Sequence, residues 1–245
     1  MKQNLMIQWY DRLTQGMRSD VDLYLEEAKK HKQPILELAS GTGRILIELL
    51  ENGIDTHGLD LSGEMIEICK KKLVERGLST KLLNINMSDF DLPEKNYGMI
   101  FCSRATLQML ERRKDLFSCI SKCYEHLDNQ GTFVADIFIP WQGIIENNQD
   151  QWILGPVVID GKETLVCQST NKYDIDEQLQ HIMYKYELYR DSYLIDSMIE
   201  NYKIRWYGRE EFRLILEKVG FGEISISKAN IFPNYNHSYI VRAKK

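Results

Sequence analysis

The residues that could do chemistry cluster in one short segment, PILELASGTG at residues 34–43, and at Asp60, which ends the next apolar run. The apolar start of the segment is typical of a buried parallel strand. It contains Glu37 and leads to a turn with Gly41 and Gly43, after which RILIELLEN is a predicted helix. Glycines let a ligand approach the backbone, and a helix N-terminus offers free N–H groups. Because Asp60 could accept both hydroxyls of a ribose, the arrangement predicts a site for an adenine nucleoside.

The turn lacks the patterns that bind a pyrophosphate or a triphosphate. The fingerprint G-x-G-x-x-G needs a third glycine, and the two possible alignments put Leu46 or Arg44 at that position. No G-x-x-x-x-G-K-[ST] string is present in the chain. Glu37, next to the turn, would repel a phosphate but would favour an ammonium group. Ribose, adenine and a cationic amino-acid tail together describe S-adenosylmethionine, with S-adenosylhomocysteine as its product, better than NAD.

Several strings, in order along the chain, resemble the class I S-adenosylmethionine-dependent methyltransferases. They are ELASGTGRI, GLDLSGEMI and NMSDF, and the nearest likeness is to the small-molecule branch, whose members read E-L-A-C-G-T-G-R. WYGREEFRLILEKVGF is similar to the helix and strand near that family's C-terminus. Ala39 departs from the general pattern, in which a glycine is usual. The resemblance implies a methyltransferase that acts on an O or N nucleophile of a small molecule.

The resemblance also assigns roles around the cofactor. In the family, apolar residues after the ribose carboxylate pack on the adenine, and polar groups after the third strand bind its edge. A residue after the fourth strand lies beside the transferred methyl, and an N-terminal segment closes over the cofactor. With the glycine-rich turn, these roles predict cofactor contacts from Tyr10, Glu37, Ala39, Ser40, Gly41, Gly43, Asp60, Leu61, Met65, Asn86, Met87, Ser88 and Ser103.

Ordinary structural roles stay open for some of these residues. Met65 and Tyr10 could be core side chains, Asn86 a turn residue and Ser103 a helix cap. No histidine occupies an obvious motif position for a general base. His237 is one histidine worth testing, although a surface turn suits it better. A base is needed only if the nucleophile must lose a proton, so the catalytic residue is left unassigned.

Alternating strands and helices must position these residues. Strands are predicted at about 34–39, 54–60, 80–86, 98–103 and 131–138, and helices at about 43–52, 63–76 and 112–127. Such alternation indicates a parallel sheet with right-handed crossovers, whose ligands lie outside the carboxyl ends of the strands. Residues 4–31 are predicted to form two further helices, with Ser19 as the N-cap of the second.

From about residue 157 the pattern changes to period two. Asp160-Gly161 predicts a two-residue hairpin loop, and long strands are predicted at about 179–190 and 193–207. A helix at 208–219 and strands at about 222–229 and 236–244 return to the main sheet. The predicted fold class is α/β, a Rossmann-like, doubly wound, mostly parallel seven-stranded sheet with an inserted antiparallel β lid. The predicted domains are residues 1–140 with 208–245 for the cofactor, and 141–207 as the lid and substrate region.

Composition and charge narrow the classes of function. The net charge of −5 over 245 residues disfavours a broad nucleic-acid-binding face. No apolar stretch approaches the ~20 residues that span a bilayer, and the N-terminus lacks a signal-peptide pattern. The five cysteines form no C-x-x-C pair, and the five histidines show no ligand spacing. We therefore expect a cytoplasmic, metal-free protein, a monomer or homodimer, that acts on a small-molecule substrate without nucleic acid or membrane.

Three other classes of function compete with this prediction. A dinucleotide-dependent oxidoreductase is disfavoured by the missing third glycine. A non-catalytic cofactor-binding or interaction protein could use the same fold, since a fold does not guarantee turnover. A nucleic-acid methyltransferase is opposed by the charge and by the absence of an N-P-P-Y-like string.

Overall fold

The computed structural model describes residues 4–93, 96–146, 149–231 and 237–245. The chain divides into two compact units. The first unit comprises Met17–Ile139 and Tyr207–Lys245, and the second unit comprises Met1–Gly16 and Pro140–Trp206. The helices are α1 Leu5–Leu13, α2 Ser19–Ala28, α3 Arg44–Glu51, α4 Gly63–Glu75, α5 Arg113–His126, α6 Trp141–Ile145 and α7 Arg209–Val219. The strands are β1 Ile35–Leu38, β2 Thr56–Asp60, β3 Leu82–Asn84, β4 Tyr97–Cys102, β5 Leu127–Phe138, β6 Ile153–Asp160, β7 Glu163–Asp174, β8 Leu179–Arg190, β9 Tyr193–Arg205, β10 Gly222–Lys228 and β11 Ser238–Lys244.

The first unit is built on a seven-stranded sheet in the order β10-β11-β5-β4-β1-β2-β3. The strands β1 to β5 run parallel, whereas β11 is antiparallel to both β5 and β10. All four residues of β1 and all six of β4 are buried, as expected for central strands that helices cover on both faces. The predicted mostly parallel seven-stranded sheet is confirmed.

The boundaries of three elements differ from the sequence prediction. β3 ends at Asn84, so Asn86 lies beyond the strand. β5 begins at Leu127, because Leu127 pairs with Tyr97 before an irregularity in the ladder, and the polar string DNQ at that irregularity resembles a turn. Ser19 is the first residue of α2, and its predicted N-cap position is taken by Arg18, whose side chain makes no capping hydrogen bond. Asn236, the predicted first residue of the last strand, lies outside the described residues.

The second unit is a four-stranded antiparallel sheet in the order β6-β7-β8-β9, and we call it the meander unit. β8 has one apolar face, on which Ile182, Tyr186 and Leu188 are buried. α1 belongs to this unit, because its buried residues Leu5 and Trp9 pack in one cluster with that face. The inserted antiparallel sheet predicted from the period-two pattern is therefore present.

The first hairpin of the meander unit lies one residue later than predicted. Asp160 pairs with Glu163, so the two-residue loop is Gly161-Lys162 and not Asp160-Gly161. Gly161 has φ +61°. A positive φ at the first loop position is what a type II′ turn requires, and glycine supplies it without strain. Asp160 is therefore the last paired residue of β6, and Gly161 is the first residue of the loop.

Candidate functional site

The turn between β1 and α3 is held in left-handed backbone conformations. Ala39, Gly41 and Gly43 have φ values of 53°, 56° and 81°, and Gly43 is the N-cap of α3. A Cβ atom on Gly43 would overlap the sulfur of Cys69 in α4, so only glycine lets the turn pack there. A Cβ atom on Gly41 would meet no atom within 4 Å. The turn therefore packs on α4 at one glycine and borders open space at the other.

Asp60, at the end of β2, is joined directly to this turn. Its Oδ2 atom accepts the backbone N–H of Gly41 at 2.7 Å, and its Oδ1 atom accepts that of Ser62 at 2.7 Å. A carboxylate has about four acceptor positions, so both oxygens keep capacity for further donors. The Asn84 side chain donates to the backbone oxygens of Asp60 and Leu61 at 2.9 and 2.8 Å, a support that the sequence analysis missed. The predicted meeting of Gly41 and Asp60 is thus present in the structure.

Glu37 lies on β1 under the turn and is only 2% exposed. The backbone N–H of Leu46, in the first turn of α3, bonds to its carboxylate. Burial raises the pKa of Glu37 well above its usual value, and the guanidinium of Arg44 and the Leu46 bond oppose this rise. Glu37 thus uses a donor of the helix N-terminus that a phosphate would otherwise bind.

Two buried polar atoms beside the turn have no hydrogen-bond partner within the described ranges. They are the Oε2 atom of Glu37 and the hydroxyl oxygen of Ser40. Leaving such buried atoms unpaired is costly, so each calls for a partner such as a bound ligand or an ordered water. With the open space at Gly41 and the free acceptor capacity of Asp60, these atoms fit a ligand that carries hydroxyls and an ammonium group.

Arg44 is fixed by a second carboxylate that the sequence analysis did not single out. Its guanidinium pairs with Asp20 of α2 through two contacts, one of them 2.9 Å between Nη1 and Oδ1. The two side chains are 15% and 4% exposed. This bidentate pair ties α2 to the start of α3 and keeps the guanidinium beside Glu37.

The residues predicted to contact adenine differ in how far they are exposed to solvent. Leu61 is 72% exposed after β2, whereas Met65 is buried on α4. Asn86 is exposed, and its side-chain oxygen accepts the backbone N–H and the hydroxyl of Ser88 at 2.9 and 3.0 Å. Met87 is half-buried. Asn86 therefore shapes its own turn, the alternative left open above, while Leu61 offers apolar surface beside Asp60.

The last two predicted residues lie in different units. Ser103 is buried directly after β4, and its backbone oxygen accepts the hydroxyl of Thr106 at 2.7 Å. Its contact with the following 3-10 helix Thr106–Met109 therefore uses the carbonyl and not the side chain. Tyr10 is half-buried on α1 in the meander unit, whereas the other predicted cofactor residues all lie in the first unit.

Two buried polar side chains of the first unit were missed by the sequence analysis. The hydroxyl of Tyr24 on α2 donates to the carboxylate of Asp136 on β5 at 2.6 Å, and both residues are 0% exposed. Asp136 stands in the apolar string VADIFI, where its neighbours mark only a buried strand. A lone carboxylate at the carboxyl end of such a strand is the signal that could have found it.

The described residues contain no group of three or more His, Cys, Asp or Glu side chains arranged to hold a metal ion. Within the same ranges, every helix is too short or too polar to cross a membrane. All five cysteines are free and buried.

Comparisons with known proteins match the region that carries this site. A family model described as "Methyltransferase domain" matches residues 35–131, from β1 to the irregularity in β5. A carboxy-S-adenosyl-L-methionine synthase from Nautilia profundicola is 24% identical over 176 residues, which are 71% of each chain. Alignments to the curated relatives span between 37% and 71% of those proteins' own lengths.

Solved structures share the fold over nearly the whole chain. An S-adenosylmethionine-dependent methyltransferase from Clostridium acetobutylicum superposes with a TM-score of 0.79 at 17% identity, covering 97% of this chain and 96% of that one. The sugar N-methyltransferase KedS8 from Streptoalloteichus gives a TM-score of 0.78 at 16% identity, covering 100% and 94%. At these identities the structures are evidence for a shared fold.

Proposed function

Because the chain belongs to the class I S-adenosylmethionine-dependent methyltransferases, we propose that it transfers a methyl group from S-adenosylmethionine to an O or N nucleophile of a small molecule. The observation that carries this proposal is the Asp60–Gly41 contact beside the unpartnered oxygen of Glu37. One carboxylate lies where it could hold a ribose, and the other could take an ammonium group. This pairing matches the two polar ends of S-adenosylmethionine.

The residues of the first unit would hold the cofactor by distinct contacts. Asp60 would accept the ribose hydroxyls with its remaining lone pairs. Gly41 and Ala39 leave backbone exposed to the amino-acid tail, whose ammonium group Glu37 would accept. Leu61 would cover one face of the adenine. The fit is poorer for NAD, because Glu37 occupies the helix donor that a pyrophosphate needs.

The chemistry of methyl transfer asks little of the protein beyond alignment. The bound sulfonium supplies an activated methyl group, and the protein contributes orientation and exclusion of water. The turn that starts at Ser103 follows β4, which lies between β1 and β5 in the sheet. This turn therefore leaves the sheet next to the glycine-rich turn that follows β1. An amine with a free lone pair needs no base, whereas a hydroxyl must lose a proton. An amine, which needs no base, is the nucleophile that we propose to test first.

The proposed acceptor is a small polar molecule, processed in the cytoplasm. The net charge of −5 is unsuited to a nucleic-acid substrate, and five free, buried cysteines suit a reducing compartment. KedS8 is by its name a sugar N-methyltransferase, which supports an amino sugar as the first acceptor to test. We propose that the meander unit, inserted directly after β5, supplies the contacts that select this acceptor.

A turnover screen tests the proposed function. The purified protein is incubated with S-adenosylmethionine and a panel of amino sugars, small amines, phenols and carboxylic acids, and S-adenosylhomocysteine is quantified. We expect its formation to depend on an acceptor from the amine group, whose product gains one methyl by mass spectrometry. Binding of the cofactor without acceptor-dependent S-adenosylhomocysteine from any panel member would favour the non-catalytic alternative.

Glu37→Gln is expected to lower the affinity for S-adenosylmethionine by about tenfold while the protein stays folded. The glutamine oxygen can still accept the N–H of Leu46, but the neutral amide no longer balances an ammonium group. The loss is held near the lower end of the range for charged hydrogen bonds, because ionising the buried Glu37 already costs energy. Calorimetry measures the affinity, and thermal unfolding checks the fold.

Glu51→Gln, the same change at the last residue of α3, is the matched control and should leave the affinity unchanged. If Glu37→Gln binds the cofactor as tightly as the unchanged protein, Glu37 does not receive the ammonium group and only caps α3.

A further inference from the structure

The carboxylate of Asp136 is a buried hub that joins three parts of the first unit. Its Oδ2 atom accepts the hydroxyl of Tyr24 at 2.6 Å and the backbone N–H of Arg104 at 2.9 Å. Its Oδ1 atom accepts the backbone N–H of Ala105. Asp136 is 0% exposed, so all three donors meet a carboxylate that water does not reach. Such charge-assisted hydrogen bonds are short and about twice as strong as neutral ones.

Two of these donors come from a turn with a strained backbone. Arg104 and Ala105 have φ values of 58° and 54°, in the left-handed region that side chains with a Cβ atom disfavour. A residue with such a backbone is strained and persists only when its surroundings hold it. The conformation turns both N–H groups toward Asp136. The carboxylate is therefore what holds the turn Ser103–Ala105 in this shape.

The turn Ser103–Ala105 lies at the edge of the sheet where the proposed site is. The last residues of β1 and β4 are in register, since Leu38 lies beside Cys102, and Cys102 lies beside Ala135, the residue before Asp136 in β5. The turn begins one residue after Cys102, just as the glycine-rich turn begins one residue after Leu38. Both turns therefore leave the sheet side by side.

We propose that Asp136 is a positioning residue for methyl transfer, whose carboxylate fixes the turn Ser103–Ala105 beside the glycine-rich turn and so sets the alignment of the reacting groups. This inference rests on the proposed function. Asp136 does not touch the reacting atoms. It acts through the backbone of Arg104 and Ala105, and Tyr24 holds it in place from α2.

The hold depends on the charge of Asp136. When it is ionised, the Asp136 carboxylate can accept all three hydrogen bonds. A proton on either of its oxygens would point toward an N–H or O–H donor and would weaken that hydrogen bond. Burial raises the pKa of Asp136 and the charge of Asp20 adds to this rise, whereas the hydrogen bonds from Tyr24, Ala105 and Arg104 oppose it, and the net result is a pKa of about 6. The thiol of Cys102 also faces Asp136 and is kept neutral by burial, which raises its own pKa. The turn should therefore loosen as the pH falls through about 6.

The first test measures amide hydrogen exchange in the protein without cofactor. We expect Asp136→Asn to speed exchange in the segment that holds the Arg104 and Ala105 amides by about tenfold or more, because the neutral side chain offers one acceptor and turns a donor toward the turn. Asp128→Asn, the same change at the other end of β5, is the matched control and should leave this segment unchanged. Unchanged exchange in a folded Asp136→Asn protein would overturn the proposal.

The second test separates positioning from simple stabilisation. Asp136→Asn should lower kcat by about tenfold above pH 7 and leave the Kd of S-adenosylmethionine within about threefold. The ratio of wild-type to variant kcat should fall toward one below about pH 6, where the wild-type carboxylate is protonated too. The acceptor ionises equally in both reactions, so its ionisation cancels in the ratio of the two kcat values. A ratio that stays near one at every pH would overturn the positioning role.

Tyr24→Phe keeps the proposal testable if Asp136→Asn does not fold. Removing the hydroxyl takes away a hydrogen bond that lowers the pKa of Asp136, so the acid limb of kcat should move to higher pH. Tyr97→Phe removes another buried hydroxyl, which contacts His57 at the far end of the sheet, and should not move it. If the acid limb of kcat lies at the same pH in Tyr24→Phe as in the wild type, the inference is overturned. Absence of turnover in the wild type would instead contradict the proposed function, while the exchange experiment still decides the role of Asp136 in holding the turn.

Discussion

Asp60→Ala is expected to weaken the binding of S-adenosylmethionine by about tenfold to hundredfold, because hydrogen bonds to a charged group contribute roughly 1.5–3 kcal/mol. The carboxylate would lose its bonds to the ribose hydroxyls. It would also lose its 2.7 Å bond from the Gly41 N–H, which positions the turn. Both losses act in the same direction, so the effect belongs to the upper part of this range. Isothermal calorimetry at fixed ionic strength measures it.

Two further variants serve as comparisons for Asp60→Ala. Asp60→Asn keeps one acceptor oxygen and should lie between the alanine variant and the unchanged protein. Asp55→Ala removes an exposed carboxylate just before the same strand and should bind the cofactor normally. If Asp60→Ala is folded, as judged by circular dichroism, and binds with unchanged affinity, the ribose is held elsewhere.

Removing the meander unit is expected to abolish methyl transfer yet leave the affinity for S-adenosylmethionine within a few fold. The excision replaces residues 140–206 by a short Gly-Ser linker and deletes residues 1–16, because Leu5 and Trp9 would otherwise lose the face on which they pack. The seven-stranded sheet, Asp60 and the glycine-rich turn are all retained in the first unit. Equilibrium binding and S-adenosylhomocysteine formation are measured on the same preparation.

The intact chain supplies the control for this excision. Tyr10→Phe removes the hydroxyl of a predicted cofactor contact that the excision also deletes, so any loss of affinity in both proteins is assigned to Tyr10. A trimmed protein that is folded and methylates the same acceptor at the wild-type rate would show that the meander unit does not select the substrate. Its aromatic residues would then suit an oligomer contact better.

The sequence could predict those parts of the site whose residues lie close together in the chain and form local patterns. An apolar strand, a glycine-rich turn and a helix follow one another within residues 34–52, and Asp60 ends the next strand, so strand order alone brings them together. The same reasoning identified Glu37 as a carboxylate beside the ligand. It could not show that Glu37 also bonds to the N-terminus of α3, because that depends on the depth at which the strand is buried.

The parts that escaped prediction depend on contacts between distant segments. Asp136 and Tyr24 are separated by most of the first unit, and each is an ordinary residue within its own apolar pattern. Asn84 supports the Asp60 loop because β3 ends two residues earlier than its apolar pattern suggested. The packing of α1 on the meander likewise required the sheet to be known first, since the two segments are far apart in the chain.

The central claim is that this fold binds S-adenosylmethionine as a methyl donor, and a calorimetric titration tests it most directly. The unmodified protein is titrated in parallel with S-adenosylmethionine, S-adenosylhomocysteine and NAD. We expect saturable binding of both adenosyl ligands and no binding of NAD, because Asp60 and Glu37 together match a ribose and an ammonium group and not a pyrophosphate. Saturable binding of NAD with no response to either adenosyl ligand would contradict the account.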